Sequence, residues 1–193
     1  VHEFFGMLRR EYPELVIENC ASGGHRLEPS LVKLTAMSSF SDAHECREIP
    51  YIAASLHQLI LPRQCQIWAV ISPELEMQEI QYRLMSGMLG RFCLSGAVQD
   101  LSEEQWQEVK DAMRFYENVR EIIKNGRSRL LRTGRNNQHH LEGAQILLRE
   151  IEGEVLLVYH AFSNPPVSIG GVLPEGNWKL RDFSGKKCEI ELG

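Results

Sequence analysis

Residues 18–26 read Glu18-Asn19-Cys20-Ala21-Ser22-Gly23-Gly24-His25-Arg26, a dense run of groups able to bind or react. Paired glycines let backbone approach a ligand closely, and Arg26 can present a planar fork of donors. A phosphate cradle is not expected, because the Gly-x-x-x-x-Gly-Lys pattern is absent. On spacing alone, a tight turn with Arg26 paired to a nearby carboxylate accounts for the run as well as a ligand site does. A second cluster follows at 38–45, Ser38-Ser39-Phe40-Ser41-Asp42-Ala43-His44-Glu45. Its acids, Asp42 and Glu45, could divide acid and base roles if their surroundings separated their pKa values. Ser-Asp ahead of a helix is also a common capping pattern, and taken alone that is the stronger reading.

Other reactive side chains point to chemistry less strongly. His139-His140 could ligate a metal, but it sits in a polar stretch without nearby Cys or paired acids, so a solvated loop is expected. Asp100 follows Gly96-Ala97-Val98, at another candidate strand end. Trp68 and Trp106 are expected in the core, and Trp178 in sheet packing. The five cysteines, Cys20, Cys46, Cys65, Cys93 and Cys188, form an odd, scattered set with no Cys-x-x-Cys pair. That argues against a disulfide framework and a thiolate zinc site, and for reduced thiols in a cytoplasmic protein. The net charge of −5 argues against a nucleic-acid protein. No apolar run approaches the roughly 18–20 residues of a membrane span. No signal peptide is read at Val1, and a start at Val rather than Met fits a processed product or an excised piece.

The elements that must position these residues fall into two textures. Through residue 127, helical periodicity (2–10, 28–37, 49–59, 75–88) alternates with short apolar runs (15–17, 66–70, 91–94). Tyr12-Pro13 closes the first helix. Ser102-Glu103-Glu104-Gln105 is a capping box, after which Trp106, Val109, Met113, Tyr116, Val119 and Ile123 form one apolar stripe, stopped at Asn125-Gly126. Residues 128–141 are polar and basic, as in a linker. Strands are predicted at 144–151, 154–162, 178–183 and 188–192, with a turn at Glu152-Gly153.

Alternating strand and helix favours a parallel sheet or barrel, with any active site at the carboxyl ends of the strands. The 193 residues are too few for a whole (β/α)8 barrel of about 250, and the all-β tail is too small for a sandwich of about 100.

The run 18–26, then Ser41-Asp42, resembles the family-36 glycoside hydrolases, chiefly α-galactosidases, whose motif reads E-N-C-(S/A)-S-G-G-x-R followed by W-x-S-D. The resemblance continues through Leu61-Pro62, Met88-Leu89-Gly90 and Leu101-Ser102-x-Glu104. It implies a fold: residues 1–127 as the C-terminal half (about strands five to eight) of a (β/α)8 catalytic barrel, and 128–193 as a C-terminal antiparallel β-domain. It also implies a retaining glycosidase acting on α-galactosides without metal or cofactor. Asp42 matches the acid/base, and Cys20, Gly23, Gly24, Arg26 and Ser41 match the substrate pocket. The aspartate nucleophile would lie upstream of Val1, leaving these residues inactive alone. Two departures surround the acid: Ser39 replaces the motif tryptophan, and Ala43-His44-Glu45 replaces Asn-Thr-Asp. A non-catalytic carbohydrate-binding protein built on a degenerate barrel, or a transglycosylase, is the alternative. The open edges of half a sheet would invite self-association into a homo-oligomer.

Overall fold

The computed structural model describes residues 1–20, 23–43, 45–134, 136–137, 139–170 and 173–180. Ala21, Ser22, His44 and the predicted strand at 188–192 lie outside the described residues.

Four short strands form a parallel sheet in chain order: β1 (Glu18–Asn19), β2 (Met37–Ser39), β3 (Cys65–Ile71) and β4 (Arg91–Gly96). Their register pairs Asn19 with Ser38, Ser39 with Gln66, and Trp68 with Cys93. Parallel neighbours need crossovers. These contain α2 (Pro29–Val32), α3 (Glu48–Leu56) and α4 (Met77–Gly87), while α1 (His2–Glu11) precedes the sheet and α5 (Glu103–Asn125) follows it. Along β3, Ile67, Ala69 and Ile71 are fully buried and share one core with Ile80, Leu84, Met88 and Leu89. Alternation along the strand sends Gln66, Trp68 and Val70 to the opposite face. Trp68 is partly buried there.

A second sheet is antiparallel: β5 (Arg127–Arg132), β6 (Ala144–Ile151) and β7 (Glu154–Ala161). The β6–β7 turn places Glu152 and Gly153 at φ 48° and 82°, the left-handed pair that a two-residue hairpin requires. This sheet packs its Leu147, Leu156 and Val158 into the same core as α5. A polar seam adds direction. Arg132 Nη2 donates to the Tyr51 carbonyl (2.7 Å), its guanidinium lies 3.9 Å from the Tyr51 ring centroid, and Gln145 Nε2 donates to the Pro50 carbonyl (2.9 Å).

Several expectations need correction. The strand read at 15–17 sits instead at Glu18–Asn19, with Leu15 and Val16 exposed. The helix read over 28–37 is one turn, and Met37 already belongs to β2. Residues 127–132, read mostly as linker, form β5, because their backbone pairs fully with β6. The apolar stripe of α5 is rotated. Ala112 and Ile122 are buried, while Trp106 and Met113 are each 37% exposed. By contrast, α5 ends at Asn125-Gly126 as expected, with Gly126 in an extended conformation (φ −69°). Trp178 to Leu180 lie in no strand, and the Trp178 indole N–H is satisfied locally by the Pro174 carbonyl (2.8 Å).

The seam makes stability depend on pH. His160 is buried at the edge of the Tyr82 ring, its Nε2 lies 3.3 Å from Ser86 Oγ, and its Nδ1 has no hydrogen-bond partner among the described residues. Burial pushes its pKa down from 6.5 to about 3. The unfolded chain therefore takes up a proton that the folded chain refuses. The contribution of His160 to stability is therefore full above about pH 6.5 and falls away as pH drops toward 3. Urea unfolding of the wild type and His160→Gln at pH 7 and 4.5 should show the variant losing less on acidification. Equal losses would show that His160 does not carry the effect.

Candidate active site

The site is built where β1 and β2 end. Asn19 is 5% exposed, and its Nδ2 donates to the Arg26 carbonyl (2.5 Å) and to Ser38 Oγ (3.4 Å). One amide thus closes the loop after β1 and ties it to the next strand. Cys20 and Arg26 are exposed at the two ends of that loop.

Gly23 and Gly24 adopt φ of +59° and +96°, where L side chains are strained. Their backbone is also crowded. A Cβ on Gly23 would stand 2.3 Å from Asp42 N, 2.9 Å from Ser41 C and 3.0 Å from Asp42 Cγ. One on Gly24 would stand 2.4 Å from the Phe40 carbonyl oxygen. The two motif segments, distant in sequence, therefore lie flat against each other, with hydrogen the only substituent the gap admits. Phe40 is buried beneath them. Ser41 Oγ accepts from Ala43 N (3.0 Å), a local turn immediately around the exposed Asp42.

The acids of the second cluster separate by environment. Glu45 Oε2 accepts from the backbone N–H groups of Arg47 (2.8 Å) and Glu48 (3.2 Å), so Glu45 satisfies donors at the entry to α3. Asp42 stands against the glycine loop instead. Asp100 lies beyond β4 and accepts from Gln99 Nε2 (2.8 Å). His139 Nδ1 lies 3.3 Å from Glu48 Oε1. Among the described residues, no three His, Cys, Asp or Glu side chains converge as a metal centre would need, and no helix is long and apolar enough to cross a membrane. Burial pushes the Cys65 and Cys46 thiols up to about 12 and 11, with the Glu45 carboxylate adding to the Cys46 shift, so both stay protonated near neutrality. A hollow of about 230 Å³ lies among Arg127, Leu148, Val155 and Pro174, and no predicted site residue lines it.

Two contributions escape the residue reading. Asn19 is a loop lock, and Trp68 Nε1 donates to Ser39 Oγ (3.4 Å), linking β3 to the strand that leads into Asp42. Period-two alternation through Gln66, Trp68 and Val70 was the available signal for the latter.

Among solved structures, this chain is similar to a variant of AgaA, a GH36 α-galactosidase from Geobacillus stearothermophilus bound to 1-deoxygalactonojirimycin. That likeness has 19% identity and a TM-score of 0.71 over 86% of this chain and 24% of that one. A further AgaA variant, in complex with raffinose, matches at 18% identity and TM-score 0.70 over 86% of this chain and 24% of that one. An α-galactosidase from Lactobacillus brevis matches at 14% identity and TM-score 0.71, over 93% and 24%. The chain thus spans about a quarter of the length of the structures it matches. These likenesses establish the fold: an α/β unit with a parallel and an antiparallel sheet, as in galactosidase domains. No curated protein matches the chain. The family model described as Melibiase matches residues 1–126, which include both motif segments and all four parallel strands. The chain belongs to the melibiase family.

Proposed function

We propose that this chain is the acid/base half of a retaining α-galactosidase. On this reading, residues 1–127 are the second half of a (β/α)8 catalytic barrel, and 128–193 belong to the antiparallel domain that follows it. The four parallel strands in unbroken chain order support that placement, as does the quarter-length match to the galactosidases.

The observation that carries the functional reading is the contact of Gly23 with Asp42 at the carboxyl ends of β1 and β2, where barrel enzymes keep their reactive groups. A retaining glycosidase needs two carboxyls about 5–5.5 Å apart. One attacks the anomeric carbon while the other protonates the departing oxygen, and the second then deprotonates the water that releases the sugar. Asp42 takes the proton-transfer role, and an aspartate upstream of Val1 supplies the nucleophile. Cys20, Gly23, Gly24, Arg26 and Ser41 shape the galactose pocket, with Arg26 as the hydroxyl-binding cation. Two carboxyls perform all the chemistry, so the mechanism calls for no cofactor.

The test is turnover of an aryl α-galactoside by the full-length polypeptide and by the 193-residue chain. The full-length protein should hydrolyse it and the shorter chain should not. Turnover proportional to the concentration of the shorter chain would overturn the divided-site reading. An inactive full-length protein that still binds galactose would point to a carbohydrate-binding role instead.

A further inference from the structure

We infer that Trp68 determines sugar specificity at this site, its indole forming the floor on which the galactose ring rests beneath Asp42. The inference rests on the glycosidase reading above and adds a residue that this reading does not use.

Three observations place Trp68. First, the helix-facing side of β3 is closed by Ile67, Ala69 and Ile71, so Trp68 projects from the other face of the sheet, where it is only partly buried. Second, Ser39 pairs with Gln66, so Trp68 stands one side-chain level further along β3, beside the stretch of chain that leads from Ser39 to Asp42. The bond from Trp68 Nε1 to Ser39 Oγ leans the indole across β2. Third, Gln66, one level before Trp68, is 8% exposed, and its Oε1 has no partner among the described residues, while its Nε2 donates to Cys93 Sγ (3.3 Å). Buried amide oxygens are normally satisfied, so this face lacks a donor.

An aromatic plane beside polar, hydrogen-bonding neighbours suits a ring with one apolar face. Galactose offers one, because its axial 4-hydroxyl clears the opposite side of C3, C4 and C5 to C–H groups. With the indole N–H held by Ser39, the indole is fixed in orientation and needs no reordering on binding. Loss of such a stacking contact is expected to read as roughly two- to tenfold in affinity.

The experiment compares Trp68→Ala and Trp68→Phe in the full-length protein, using p-nitrophenyl α-galactoside and α-glucoside, with free galactose as inhibitor. Trp68→Ala should raise KM for the galactoside and the galactose inhibition constant together by about two- to tenfold, with kcat within about threefold. Its preference for galactoside over glucoside should shrink, and Trp68→Phe should restore most of the loss. A merely structural role would lower kcat or the amount of folded enzyme without moving the inhibition constant, and that result overturns the inference. So does a loss that phenylalanine fails to restore. If the wild type neither hydrolyses the galactoside nor is inhibited by galactose, the glycosidase reading itself has failed, which is a distinguishable outcome.

Discussion

On the proposed acid/base reading, Asp42→Asn in the full-length protein should slow hydrolysis of an α-galactoside with a sugar leaving group by about 10²–10⁴-fold, the usual share of general acid–base catalysis. Asparagine keeps the size and most of the hydrogen-bonding geometry of aspartate, so the contact with the Gly23 loop should survive and thermal stability should change little. What it cannot do is give up a proton to the departing oxygen or take one from water. The loss should therefore grow with the basicity of the leaving group. An aryl galactoside with a strongly acidic phenol leaves without help, and its first chemical step should be nearly normal. The second step still lacks its base, so glycosyl-enzyme should accumulate. Azide, a nucleophile that requires no deprotonation, should then restore turnover and yield the α-galactosyl azide. Wild-type activity of Asp42→Asn on that substrate would remove Asp42 from the proposed mechanism.

The second large effect is expected at Gly23. Alanine there would meet backbone on Asp42 and Ser41 at 2.3 and 2.9 Å, and backbone cannot rotate aside as a side-chain end can. The φ of +59° adds strain, roughly 1 kcal/mol or more for a residue with a Cβ. The loop must retreat or push Asp42 away, and a displacement of about 1 Å at a catalytic group can cost about 10²-fold in rate. Gly23→Ala is thus expected to lose about 10²-fold in kcat/KM. Gly153→Ala is the matched control: φ is +82°, but nothing lies within 4 Å of the added carbon. It should show the stability cost of positive φ without the loss of rate. Activity of Gly23→Ala within threefold of wild type would mean that the glycine loop does not position Asp42.

Legibility in the sequence followed the range of the forces involved. The capping box at Ser102 is present in both halves: Gln105 N donates to Ser102 Oγ (3.2 Å), and Ser102 N donates to Gln105 Oε1 (3.0 Å). Its partners lie three residues apart, so it could be read directly. The Glu152-Gly153 turn is equally local. β2 is not legible in the sequence, because Met37, Ser38 and Ser39 are too few to show a period. Only pairing on both sides makes them a strand. β5 resembles a linker in the sequence because Arg127, Ser128 and Arg129 are polar and exposed, and what orders them is the ladder to β6. The rotation of the α5 stripe came from what α5 packs against: Ala112 and Ile122 are covered, and Trp106 overhangs.

By itself, then, the sequence determined the local grammar of this protein and the residues of its motif. Those are the helix caps, the hairpin turn, the run 18–26 and the Ser-Asp pair, all of which depend on residue type and on neighbours a few positions away. The tertiary structure alone decided that Gly23 lies on Asp42, that Glu45 accepts from backbone donors at the start of α3, and that Trp68, packed against the core, reaches Ser39 on the neighbouring strand. Each of those depends on strand register and close backbone approach between segments far apart in the chain. No single stretch of residues specifies such contacts, because they arise only when the sheet assembles.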